Sequence, residues 1–382
     1  MTLLGRFGVY SVIGTISLLP LLVLPAMIGT LVDETLLGET RAGWSASLNF
    51  FGGAVAAGVM ALRMHRLDLR RVAYLAFALA AVGDIASAFS ANHPMLFLAI
   101  RLVAGIGAGA AYTVVVAAFA RLPDVDRGYG LFVTLQFIVS GVGLYLLPVY
   151  SATLGVEGMF LSIAALELGS FALLRHLPGQ ALPDDATGGR KTELHVLLSW
   201  ATLLGAMGFA IYEAANTAQF TYLERLGVSL ALSDQQVGTA LLIASLAGIP
   251  GAFAIVLLGG RYGRMAPLSL GVGLSLCGLL VLMAGGSFGN YLLGASLIGF
   301  SWAFCLPYIQ GLLASLDPRG SAVAAGSASS TIGGSIGPGV AALALAGGSY
   351  SRVLGLSMCL LLLALLSFWL ASRKINSDQQ CE

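Results

Sequence analysis

The chain has 382 residues, of which 58% are hydrophobic and 10% charged, against about 25% charged in an ordinary soluble domain. So few charges cannot cover a soluble protein of this size, which excludes an ordinary soluble enzyme, a nucleic-acid binder and a disordered chain. The mean hydropathy of +0.90 points to a polytopic membrane protein, and the 50 glycines suit one, because small residues let membrane helices approach closely.

A spanning helix needs about 20 mostly apolar residues. Continuous apolar runs exclude barrel strands, which would alternate, and amphipathic surface helices. The first span covers 8–32, begins after Arg6, and is read as a span rather than a cleaved leader. Pro20 and Pro25 mark bends in it, and Asp33 and Glu34 close it as solvated acids at the outer surface. The second span (44–63) carries Asn49, the third (72–91) Asp84, and the fourth (95–120) Arg101 above a row of glycines. The fifth (129–153) carries Gln136 with Ser140 one turn on, and the sixth (157–175) carries Glu167. The polar stretch 177–195 follows, and it divides the chain into bundles 1–176 and 196–382. The seventh span (196–222) holds Glu213, the eighth (236–258) Pro250, and the ninth covers 267–286. The tenth (290–315) holds Trp302, Pro307, Tyr308 and Gln310, the eleventh (321–347) Pro338, and the twelfth covers 351–371. The narrowest boundary is Gly286–Asn290, between the ninth and tenth.

Basic residues test this order independently, since cytoplasmic loops are enriched in them. With the amino terminus inside, fifteen Arg and Lys fall inside and Arg41, Arg225 and Arg352 outside. Both termini are therefore expected in the cytoplasm. The 17 Arg against 2 Lys, with the Ala and Gly bias, suggest a GC-rich bacterial genome and hence the bacterial inner membrane. Net charge is +1, and the four cysteines and four histidines form no metal-ligand spacing. No cofactor, metal or nucleic acid is expected. The bilayer and a small molecule are the expected partners of a monomer.

Several motifs carry a family resemblance. Arg101-Leu-Val-Ala-Gly105-Ile-Gly107-Ala-Gly109 in the fourth span matches the Arg-x-x-x-Gly-x-Gly-x-Gly pattern of the major facilitator superfamily. Gly333-Gly-Ser-Ile-Gly337-Pro338-Gly339 in the eleventh resembles that family's Gly-x-x-x-Gly-Pro element, and Gly141, Gly143 and Pro148 form a degenerate counterpart. The family's loop motif survives in part, as Gly58 through Arg63, His65 and Arg66, and as Gly260-Arg261-Tyr262-Gly263-Arg264. Leu62 and Gly260 stand where its acidic residue would be. The resemblance implies an all-α fold of twelve transmembrane helices in two six-helix bundles with pseudo-two-fold symmetry. Spans one, four, seven and ten would then line a cavity. It also implies secondary transport by alternating access, with Gly105, Gly337, Pro338, Arg63, Arg261 and Arg264 as gating or motif residues.

An ionisable residue at membrane depth is a functional candidate by default. Glu213, Arg101, Asp84 and Glu167 qualify. Glu213 shares a helical face with Asn216, Thr217 and Phe220, flanked by Tyr212 and Gln219. It is read either as a proton-coupling carboxylate or as an interhelical tie. Arg101 is either part of a proton relay or a buried base satisfied by Asp84. It is also the one intramembrane counter-ion for an anionic substrate. Asp84 and Glu167, on support helices, read more simply as its partners. Tyr112, Gln136, Tyr212, Asn216, Gln219, Phe220, Trp302 and Tyr308 are the expected cavity walls, the aromatics serving equally as packing.

One base among several acids and amides suits a small amphipathic, neutral or cationic compound. Proton-coupled export is the expected activity, without enzymatic chemistry. Uptake of a small organic acid on Arg101 is the alternative, and a non-transporting membrane sensor the remote one.

Overall fold

In hydrocarbon a backbone amide must find its partner within its own segment, and these apolar stretches satisfy that as helices. The computed structural model describes residues 3–63, 67–122, 125–179, 199–259, 261–316, 321–346 and 348–379, and they contain no strand. In chain order the helices are α1 (Leu3–Ser17), α2 (Leu19–Leu22), α3 (Leu24–Glu34), α4 (Gly38–Arg63), α5 (Leu69–Ser90), α6 (Pro94–Phe119), α7 (Val125–Gly169) and α8 (Phe171–Leu174). After the segment 180–198, which lies outside the described residues, come α9 (Trp200–Thr221), α10 (Leu223–Ser229), α11 (Asp234–Leu258), α12 (Met265–Ala284), α13 (Phe288–Leu316), α14 (Ser321–Leu345) and α15 (Tyr350–Gln379).

Among the described residues, nine helices are long and apolar enough to cross a membrane. They correspond to the expected third to sixth and eighth to twelfth spans. The other three stretches are helical too. The first is broken into α1, α2 and α3, with Pro20 and Pro25 opening the second and third pieces. The second is α4 and the seventh α9. By contrast Pro250, Pro307 and Pro338 sit inside unbroken helices, so the expected bends become helix breaks only in the first span.

Two boundaries rest on glycine geometry. Gly155, at φ +61° and ψ −177°, divides α7 into two rods in a region essentially reserved for glycine. Gly285 and Gly286, at φ +63° and +86°, separate α12 from α13 at the narrow boundary. There Asn290 Nδ2 donates to Gly285 O at 2.7 Å and Ser287 Oγ accepts from Asn290 N. Elsewhere side chains cap helix starts, as at Asp68, Ser199 and Ser233, the last with Gln236 in a reciprocal capping box.

The chain divides into two compact units, Met1–Gly189 and Arg190–Glu382. Inside the first, α6 packs against α4 and α5, α1 against α7, and α5 against α7. Inside the second, α13 packs against α11 and α12, α9 against α14 and α15, and α12 against α15. The same pairing order thus recurs in each.

Glycines set the closest of these approaches. A Cβ at Gly105 would fall 1.9 Å from Asn49 O, and one at Gly109 2.3 Å from Gly53 Cα, both on α4. Gly107, two residues along and on the opposite side, meets Ala80 N of α5 at 2.5 Å. The alternating glycines of the Arg101 motif therefore seat α6 against two helices at once. The second unit repeats the device where Gly251 meets Phe300 O at 2.3 Å and Gly299 meets Ala244 O at 2.1 Å.

Candidate substrate and proton site

Glu213 sits on α9, a helix whose start is fixed by Ser199 Oγ accepting from Thr202 N at 3.2 Å. The side chain is half-buried. Trp302 of α13 donates its indole Nε1–H to Oε1 at 3.3 Å and to Oε2 at 3.5 Å. An indole has a single donor and no acceptor, so Trp302 contacts the acid without neutralising it. Trp302, expected as a wall, is thereby placed on Glu213.

The polar residues of α9 divide into two stripes rather than one face. Glu213, Thr217 and Phe220 follow i, i+4, i+7 and stay half-buried. Tyr212, Asn216 and Gln219 follow the same spacing one residue earlier and are buried. Gln219 Nε2 donates to Asn216 Oδ1 at 3.0 Å, and Asn216 Nδ2 donates to Tyr212 O at 2.8 Å. Asn216 was expected beside Glu213. It lies between the two stripes by helical angle, and its side chain takes the interior one. Asn216, Gln219 and Tyr212 are therefore buried side chains, the first two bonded to each other.

Thr217 Oγ1 donates to Glu213 O at 2.9 Å. Against this stretch lies α14. A Cβ at Gly333 would fall 1.9 Å from Ala210 O, and one at Gly337 2.4 Å from Ala214 O. The Gly-x-x-x-Gly pair of the eleventh span is thus the contact surface for the helix that carries Glu213. Pro338 continues α14 without interruption.

In the first unit the charges form a sealed cluster. Arg101 Nη1 donates to Asp84 Oδ1 in a short ion pair, and to Ser87 Oγ at 3.1 Å. Its guanidinium lies over the Phe160 ring at 5.0 Å. Arg101 and Asp84 are each 1% exposed and Glu167 0%. Glu167 stands within electrostatic reach of both, and its carboxyl oxygens find no hydrogen-bond partner among the described residues. Two acids thus share one base. Arg101 is thus paired with Asp84 inside the bundle, the buried-base arrangement among its expected readings.

The remaining candidates are dispersed. Tyr112 packs on Phe132, with ring centroids 6.2 Å apart, and joins the aromatic core of the first unit. Gln136 is half-buried, one turn before Ser140, whose Oγ donates to Leu22 O at 2.7 Å. Tyr308 is buried, donates to Gly259 O at 3.5 Å and packs on Phe304. Six residues from Trp302, it points to a different side of α13 and does not join Glu213. Gln310 is exposed. Arg63, Arg261 and Arg264 are exposed at helix ends. His65, Arg66 and Gly260 of the loop motifs lie outside the described residues, as do Arg190, Lys191 and Arg319.

Three features escaped the sequence reading. Ser87 and Phe160 join the Arg101 cluster, and their signal was spacing: Ser87 is at i+3 from Asp84, and Phe160 at i−7 from Glu167. Glu34 is exposed, as expected, and its Oε2 also accepts from Val156 N at 2.7 Å, capping the second rod of α7 just past Gly155. No local signal links residues 122 positions apart. Among the described residues no three His, Cys, Asp or Glu converge to hold a metal.

Stacked apolar helices, with ionisable groups tied between them, define a polytopic membrane protein. The chain belongs to the major facilitator superfamily, whose model matches residues 7–338. Its fold resembles the crystal structure of a mutant of the nucleoside transporter NupG, at TM-score 0.78 and 12% identity, covering 97% of this chain and 99% of that one. No curated protein matches the sequence. The chain is a multi-pass membrane protein of a secondary-transporter family.

Proposed function

We propose that the protein is a proton-coupled exporter of a small amphipathic organic compound, working by alternating access in a bacterial inner membrane with both termini cytoplasmic. The observation that carries this reading is Glu213. It is a half-buried carboxylate on an apolar helix, contacted by the Trp302 N–H and by no basic residue among the described ones. A carboxylate without a fixed counter-charge can take up and release a proton as its surroundings open and close. Trp302 and Phe220 beside it offer aromatic surface suited to an amphipathic solute. Uptake of an organic acid loses its main support, because Arg101 is already committed to Asp84.

The test begins with a thermal-shift screen of amphipathic cations, neutral compounds, nucleosides and organic acids, since a ligand stabilises the fold it binds. The hit is then followed in proteoliposomes. The wild type moves it toward the acidic compartment. Glu213→Gln retains counterflow exchange and loses gradient-driven movement. Wild-type gradient-driven transport by Glu213→Gln would refute the coupling role.

A further inference from the structure

At the end of the first unit where α1 and α5 begin and α8 closes, a cavity of about 330 Å³ is lined by Arg6, Tyr10, Arg70, His176, Leu177 and Pro178. Its wall is held by two long-range hydrogen bonds. Tyr10 Oη donates to His176 O at 3.2 Å, and Arg70 Nε donates to Leu177 O at 2.9 Å. The Tyr10 hydroxyl stands within electrostatic reach of Arg6, Arg70 and Arg121 together. Arg6 and Arg70 are both exposed. Among the described residues no acidic side chain lines the cavity. The neighbouring carboxylate, Asp68, is spoken for. It accepts from Arg71 N at 3.0 Å and pairs with the Arg71 guanidinium at 3.6 Å.

Among the described residues, the cavity therefore gathers Arg6 and Arg70 around a buried tyrosine with no acidic side chain in its lining. Guanidinium groups bind phosphate oxygens through paired N–H donors, and a phenol adds a further polar contact. Its depth matters as much as its charge. The apolar helix α5 begins and the span Gly155–Leu174 ends at this level, and basic pockets between helices at the headgroup level hold anionic headgroups. The volume lies at the lower end of the range of small-ligand sites, about 300–1,000 Å³. That is room for a headgroup rather than a whole lipid.

We propose that this pocket binds the phosphate group of an anionic phospholipid, with Arg6 and Arg70 as its ligands. Neither residue belongs to the Glu213 site, so the proposal stands whatever the substrate proves to be.

The full chain in a nonionic detergent is titrated with dioctanoyl phosphatidylglycerol, dioctanoyl phosphatidylcholine and inorganic phosphate, with the unfolding midpoint as readout. Phosphatidylglycerol raises the midpoint and phosphatidylcholine does not. Each arginine near the surface is worth about fivefold in affinity. Arg6→Gln/Arg70→Gln therefore weakens the phosphatidylglycerol response roughly 25-fold. Arg6→Gln alone leaves the Arg70–Leu177 bond intact, guards against a folding defect in the double variant, and weakens the response about fivefold. An arginine-dependent response to inorganic phosphate alone, not exceeded by phosphatidylglycerol, keeps the phosphate chemistry and makes free phosphate its source. Equal responses to the two lipids with none to phosphate, or a wild-type response in both variants, overturns the proposal.

Discussion

The cluster of Asp84, Arg101 and Glu167 predicts an unequal ladder of mutational costs. Arg101→Met leaves two carboxylates, 1% and 0% exposed, without their base. Breaking a buried pair by removing one partner costs about 3–5 kcal/mol, and with two acids stranded the upper end, about 5 kcal/mol, is expected. Asp84→Asn leaves Arg101 a carbonyl acceptor, the Ser87 hydroxyl and Glu167 within reach, so the lower end, about 3 kcal/mol, applies. Glu167→Gln removes the second of two acids sharing one base, and the Glu167 oxygens make no hydrogen bond that the change would break. Its cost is within about 1 kcal/mol of zero, as for a change that disturbs none of the large-effect mechanisms. The double variant Asp84→Asn/Arg101→Met costs less than the two single changes added together, by about 2–3 kcal/mol, the upper range for residues in contact. Reversible unfolding in mixed detergent micelles, followed by circular dichroism, measures all four. If Arg101→Met costs under about 1 kcal/mol, or Glu167→Gln costs as much as Asp84→Asn, the reading of one base shared unequally by two acids is wrong.

Other consequences follow from single distances. Gly105→Ala places a methyl 1.9 Å from Asn49 O, where carbon and oxygen ordinarily sit about 3.3 Å apart. The α4–α6 crossing must widen, the Asn49 Nδ2 bond to Arg101 O at 3.0 Å weakens, and overpacking alone costs about 1–3 kcal/mol by the same unfolding assay. Gly337→Ala meets the backbone oxygen of Ala214 at 2.4 Å. It should lower the maximal transport rate more than the unfolding midpoint, because α9 carries Glu213. Glu34→Ala removes the cap on Val156 N at about 1 kcal/mol and speeds amide exchange there, while Glu34→Gln keeps most of the protection. Gly155→Ala forces a side chain into φ +61° and within 2.9 Å of Glu34 Oε2, at about 1–3 kcal/mol.

Helix positions were legible because they depend on local composition. Twenty apolar residues in succession leave the backbone no alternative in lipid, and the polar gap at 177–195 marks the division between bundles. The spacing of Gly105, Gly107 and Gly109 could likewise be read, since small residues at i, i+2 and i+4 must serve two sides of a helix. Side-chain partners were less legible. The Asp84–Arg101 pair was anticipated because few intramembrane charges compete for one base. The assignment of Asn216 failed because a residue at 300° from Glu213 borders both stripes. Its bonds to Tyr212 O and Gln219 Nε2 place it in the interior stripe. The Glu34 bond was hidden for a different reason: the partner is a backbone N–H freed by a glycine far along the chain, and a freed amide leaves no mark in side-chain chemistry.

The contrast between the two bundles argues for where the mechanism resides. Each uses glycine-lined crossings of the same kind, at Gly105 and Gly109 in one and at Gly251 and Gly299 in the other. The packing repeat is therefore neutral between them, and the charges are not. In the first unit Arg101 Nη1 is tied to Asp84 and Ser87 in a site closed to solvent, an arrangement that resists change because separating the pair strands a buried charge. In the second the acid keeps part of its surface open and holds only an indole N–H, a contact that a substrate or a shift of α13 can replace at little cost. A coupling group has to exist in two protonation states during one cycle. A carboxylate locked to a guanidinium is held in one, whereas Glu213 is held in neither. If carbodiimide labelling of the folded protein modifies Asp84 or Glu167 in preference to Glu213, that assignment fails. Preferential labelling of Glu213, slowed by bound substrate, is the expected result.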